Sequence, residues 1–331
     1  MPSRGYGGAA VSPLWGFEIT GCMATLRFPR FLLLCTVPLA LLGAEPAPPN
    51  DVMRSVMNSF EIHGGVVLES PGQMPRERLH FAPAGGAVTT VEQTQQMTMS
   101  MTVNGQGAPV PPSTTVTTTR SSVNGPDRSG NMRVRSEILG VRQSGGAEGT
   151  SAAVDAMRGL ATELLVSPEG KIVGVEVTNA GDPAMAAMVE QIAKGAVQNL
   201  PQFPAEPVGV GARWRLEYDI SVAGMSMLAE TTNTLRSHDG NTVVVDVETS
   251  IQRGNSAFNF PGMPPDVSVE IGSLVGNATG TMTIDLATLA SSGEQKMTMD
   301  MQMSMTMSQA GMPPMSMQMH MDQVIASRRV E

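Results

Sequence analysis

The chain has 331 residues, 15% of them charged and 4% aromatic, with a formal net charge of −9 at pH 7. That length allows one large all-β domain or two smaller ones, and the sign of the charge opposes partnership with nucleic acid or anionic headgroups. Both cysteines, Cys22 and Cys35, precede Ala44, so the rest of the chain has no disulfide, thiolate metal site or cysteine nucleophile.

Residues 1–22 fit no part of a targeting signal and read as a non-native upstream extension. From Met23 the order changes: Arg27 and Arg30 precede an apolar run over 31–42, the form of a secretory signal peptide spanning 23–44 with cleavage near Ala44. The expected location is therefore periplasmic or extracellular. The run is too short for a comfortable membrane span, and no other stretch approaches the roughly 20 residues a spanning helix needs, so an integral membrane protein is not expected. Leu32-Leu33-Leu34 before Cys35 lacks the small residue of a lipoprotein signal, which argues against a lipid anchor. Loss of 1–44 removes Arg4, Arg27, Arg30 and Glu18 and takes the formal charge to −11.

Residues 45–77 form a Pro-rich leader in which 51–60 has helical spacing, with Met53, Val56, Met57 and Phe60 on one side. Strand patterns dominate from Arg78, so 78–331 reads as a single β-rich domain. Trp214, Leu216, Tyr218, Ile220 and Val222 alternate with polar residues, as in a half-buried strand. Val243, Val245, Val247, Thr249 and Ile251 form another, and Met282, Ile284 and Leu286 a third. Turns are signalled at Asn104-Gly105, Asn124-Gly125, Ser167-Pro168-Glu169-Gly170 and Asp239-Gly240. One helix is expected over 182–200, with Asp182 as N-cap, Pro183 at its first position, and Met185, Met188, Val189, Ile192, Ala196 and Leu200 as an apolar stripe. The β-rich stretches 78–181 and 201–326 on either side have the look of distant repeats.

The most regular feature is the run Met297-Thr-Met-Asp-Met-Gln-Met-Ser-Met-Thr-Met307, which alternates strictly and resumes at Met315, Met317, Met319 and Met321 after a Gly/Pro turn. A period of two places these thioethers on one face of a strand hairpin. Met1 and Met23 aside, 25 of the 27 methionines follow position 44. Val or Ile would suit a static strand core better, because ordering a Met side chain costs up to about 1.5–2 kcal/mol. Three readings stay open. The methionines fill the core of a structural envelope protein. Alternatively, Met97, Met99, Met101, Met225, Met227, Met299, Met301, Met303 and Met305 line an adaptable cavity for an apolar small molecule, lipid or lipidated protein. In the third, Met312, Met315, Met317, Met319 and His320 bind Cu(I), although alternate residues stand about 7 Å apart along a strand and His320 would face the other side. His63, His80, His238 and His320 accompany no nucleophile elbow or carboxylate cluster, so no enzyme activity, catalytic residue or cofactor is expected. Gly209-Val210-Gly211 precedes a strand and lacks a third glycine, so it reads as a turn and not as a phosphate loop.

The stretch Leu200-Pro201-Gln-Phe-Pro204-Ala-Glu-Pro207-Val208-Gly209-Val210-Gly211-Ala-Arg-Trp214 resembles the Pro-Val-x-x-Gly-x-x-Trp junction of a family of uncharacterised bacterial exported proteins and lipoproteins, which also have Met-rich and Thr-rich strands. In architecture these are similar to periplasmic half-barrel carriers of the LolA and LppX type. The resemblance implies a mainly β fold, a curved antiparallel sheet (half-barrel) of about a dozen strands wrapping one or two helices, and a carrier role without catalytic residues. Trp214 and Tyr218 are expected in the core.

Overall fold

The computed structural model describes residues 62–145, 157–178, 200–222, 225–254, 267–307 and 314–330. The described residues contain no helix. The helices expected over 51–60 and 182–200 lie, but for Leu200, outside them, as do the signal segment and Met312.

Thirteen strands form one open antiparallel sheet. They are β1 (Ile62–Ser70), β2 (Ala87–Val103), β3 (Gln106–Pro109), β4 (Ser113–Asn124), β5 (Met132–Gly145), β6 (Ala161–Val166), β7 (Ile172–Thr178), β8 (Arg213–Val222), β9 (Met225–Asp239), β10 (Thr242–Arg253), β11 (Val267–Asp285), β12 (Ala290–Met307) and β13 (Met315–Val330). Strands β8 to β13 run as a meander, with β1 added outside β8. A second meander, β2-β4-β5-β6-β7, joins the first where β2 pairs with β13, and β3 is a short flap on β2. The expected turns close several of these hairpins. Asn104 and Gly105 take φ of 50° and 78° between β2 and β3, and Gly240 takes 56° between β9 and β10, the left-handed backbone that favours Asn and Gly. Strand β1 falls inside the stretch read as a leader; its register slips between His63 and Val67, around two glycines that erase the alternation.

Buried residues on the inner face form two clusters at opposite ends of the strands. The first contains Trp214, Phe203, Phe81, Leu79, Leu235, Val243, Val245 and Ile284 together with Val123, Met132, Val134, Val166 and Val175. It includes both flanks of the sheet but no buried residue of β12, β13 or β2, because the segments before β2 and β8 cross between the flanks. Phe81 stacks on Phe203 at 5.2 Å, and Phe203 on Trp214 at 6.4 Å. Trp214 Nε1 donates to the Gln202 carbonyl at 2.9 Å, Phe81 N to Pro168 O at 2.7 Å and Phe203 N to Glu169 O at 2.8 Å. Gly209 belongs to this crossing: a Cβ there would stand 1.8 Å from the Gln73 carbonyl oxygen, so its glycine serves close backbone approach and not a phosphate.

Candidate functional site: a methionine ladder

The second cluster lies at the other end of the same face. It consists of Met99, Ile220, Met227, Ala229, Ile271, Leu274, Met299, Met301, Met319 and Met321, with Met97, Val110, Tyr218, Ile251, Met297 and Met303 packed around it. Six of its ten buried members are methionine, against one of nineteen in the first cluster. The aromatic and β-branched cluster therefore holds the fold, while the adaptable side chains are concentrated in one place.

Register explains the concentration. Met299 pairs with Met321 and Met301 with Met319 across β12 and β13; Met321 then pairs with Met99 and Met319 with Met101 across β13 and β2. Two rows of three methionines result. Toward the hairpin end, Met303 opposes Met317 and Met305 opposes Met315. Burial is deepest in the middle of the ladder: Met321, Met299, Met319 and Met301 are 1–5% exposed and Met317 8%, while Met97 at the end away from the hairpin, and Met101, Met303, Met305 and Met315 toward it, are half-buried. On β11, Gly276 opposes Met299. A Cβ there would sit 3.3 Å from the Thr298 carbonyl oxygen and in ordinary contact with Ile251 Cβ and Met299 Cγ, at 3.4 and 3.5 Å, so any side chain larger than a methyl would press on the thioether.

The residues expected to line a cavity thus fall as follows. Met97, Met99, Met101, Met227, Met299, Met301 and Met303 belong to the ladder or its surround, and Met305 continues it. Met225 opens β9 opposite Val222. Of the alternative ligand set, Met315, Met317 and Met319 share the inner face of β13, whereas His320 is exposed on the outer face and Met312 lies outside the described residues. Sequence reasoning placed Met321 on the thioether face of the hairpin without counting it among the cavity residues, and passed over Ile271, Leu274 and Gly276. For Met321 the signal was present, since pairing Met305 with Met315 carries Met321 opposite Met299.

A polar band separates the two clusters. Thr231 Oγ1 lies 2.9 Å from Thr249 Oγ1 and 3.3 Å from the Tyr218 hydroxyl, while buried Asn233, Gln95, Thr115 and Gln323 continue the band. Burial raises the Tyr218 phenol above its ordinary 10.0, partly offset by the bond to Thr231. The outer face is charged. Arg215 gathers Glu69, Glu217 and Glu230, and Glu92 accepts from Arg142 and Arg328. Behind the ladder, His320 Nδ1 lies 2.8 Å from Asp300 and Nε2 3.2 Å from Asp322. The bond to Asp300, with the Asp322 charge, raises the imidazole above its ordinary 6.5. Among the described residues, no three His, Cys, Asp or Glu side chains are grouped to hold a metal ion, and no helix is long and apolar enough to cross a membrane.

Residues 181–289 match the model of a family of unknown function, DUF6263. The matched stretch includes β8 to β11 and ends before β12, so the methionine hairpin and β2 lie outside it. No curated protein matches the chain.

Proposed function

We propose that this is an exported, non-catalytic binding protein that receives an apolar ligand, a lipid or the acyl chain of a lipidated partner, on the methionine ladder. In this reading the open sheet is a half-barrel of the LolA and LppX type, wrapping one or two helices, and works in the periplasm or outside the cell. The observation that carries it is the division of labour between the clusters: a rigid aromatic core at one end, and at the other a graded thioether surface running from buried to half-buried. Methionine re-packs around shapes of different outline at little enthalpic cost, and a contiguous apolar surface of this kind is a common mark of ligand contact.

Protein purified without detergent should carry lipid detectable by native mass spectrometry. Uptake of a fluorescent fatty acid should fall when the half-buried Met303 and Met305 are replaced by Asp. A folded protein that neither retains lipid nor takes up the probe sinks the proposal.

A further inference from the structure

The pairing of β12, β13 and β2 removes the geometric objection to a thioether metal site. Along one strand, same-face methionines stand about 7 Å apart. Across strands, directly opposed residues hold their Cβ atoms about 4.5–5.5 Å apart. Met301, Met319 and Met101 form one such row, so the flanking side chains need only lean toward Met319 for three sulfurs to converge. The Met299, Met321 and Met99 row beneath is more deeply buried, whereas Met101 is half-buried and opens the upper row toward the hairpin end.

The chemistry of this row is narrow. Thioethers are neutral, polarizable donors that select Cu(I) over hard divalent ions. Asp300, His320 and Asp322 lie on the opposite face and bind one another, so they supply no compensating charge to a dication. Arg253, opposite Met227, donates to the Ile271 carbonyl; its charge opposes a divalent ion twice as strongly as a monovalent one.

We infer that Met101, Met319 and Met301 form a three-sulfur site for Cu(I). The site shares its side chains with the proposed ligand surface, but the inference does not rest on that reading. The full chain carrying Cys22→Ser and Cys35→Ser, so that no thiolate competes for the ion, is kept anaerobic and titrated against the coloured Cu(I) bicinchoninate complex. One equivalent should transfer to the protein, with an absorption-edge spectrum showing sulfur neighbours alone. Affinity should stay flat as pH falls, because thioethers carry no competing proton, unlike histidine or thiolate ligands. Replacement of any one of the three by Leu should weaken binding by at least the roughly 10–100-fold that even outer partners of a metal site contribute, while Met132→Leu in the aromatic cluster changes nothing. Leu preserves volume and apolarity, so the triple variant should stay folded, as read by circular dichroism and Trp214 fluorescence. The inference is overturned by absence of transfer, by full affinity in the folded triple variant, or by nitrogen or oxygen neighbours in the spectrum.

Discussion

Met321→Ala is the most direct probe of how the ladder is packed. Met321 is 1% exposed and lies between Met299 on β12 and Met99 on β2. Truncation removes the γ-methylene, the sulfur and the terminal methyl from that row. Deletions of this size in rigid cores cost about 2–5 kcal/mol, depending on how far the surroundings collapse into the hole. Here the flanking side chains are themselves flexible thioethers, so the expected loss sits at the low end, about 2–3 kcal/mol. Leu235→Ala supplies the contrast. Leu235 is equally buried, pairs with Val245 and belongs to the aromatic cluster, whose stiff β-branched neighbours relax less, and about 3–4 kcal/mol is expected. Urea unfolding measures both. Trp15 and Trp214 are the two tryptophans of the chain, so in a Trp15→Phe background fluorescence reports the aromatic cluster while circular dichroism reports the whole sheet. A loss below about 1 kcal/mol for Met321→Ala would mean that the side chain is not enclosed on a single face, and a loss of about 4 kcal/mol or more would mean that the methionines are packed as rigidly as an ordinary core. Either result refutes the reasoning.

Gly276→Val should push Met299 and Ile251 apart, costing about 1–3 kcal/mol by overpacking and reducing fatty-acid uptake in a protein that still folds; unchanged uptake would count against the ladder as the binding surface. His320 has a raised folded-state pKa, so its contribution to stability is complete below 6.5 and is lost as pH rises through the higher folded value. The stability difference between wild type and His320→Gln should therefore shrink on going alkaline and fade in high salt, as denaturant midpoints across pH would show. Thr231→Val leaves Thr249 and the Tyr218 hydroxyl without their shared partner, with an expected loss of about 1–3 kcal/mol. Tyr6 and Tyr218 are the two tyrosines of the chain, so ultraviolet titration of the wild type should show one phenol, absent from Tyr218→Phe, ionising above 10.0, and an ordinary value would contradict its burial.

Much of this sheet was legible in the chain, and the exceptions have physical causes. Alternation around Trp214, Val243 and Met299 identified inner faces correctly because each of these strands has one buried side and one wet side. Strand β1 was hidden where glycines and a register slip break the period. The order of strands was hidden too, since β2 and β13 are far apart in the chain and nothing local announces their pairing. Of the site, the hairpin rows followed from alternation and turn position, but the third column of methionines depended on that long-range pairing.

Even so, the parity of the pairing was written into the residues between the methionines. On β12 and β13 the outward positions hold Asp300, His320 and Asp322, and on β2 they hold Thr98 and Ser100. A slip of one residue between β13 and β2 would turn every side chain of one strand over. Met319 and Met321 would face water, and His320 and Asp322 would enter an apolar cluster, where burying an ion pair outweighs its mutual attraction unless further hydrogen bonds complete it. Slips by two residues keep parity, and the methionines alone do not choose among them: moving Met321 to Met101 would set Gln323 against Met99, whereas moving it to Met97 would still match methionines on all three strands. The observed register is held at the end of β2, where Asn104 N donates to Ser316 O at 2.8 Å and Asn104 Oδ1 accepts from Ser316 N at 2.9 Å. The alternation of thioether with charge therefore does two things at once. It gathers sulfur on the inner face, and it fixes the parity of pairing that lets sulfurs of three strands stand side by side.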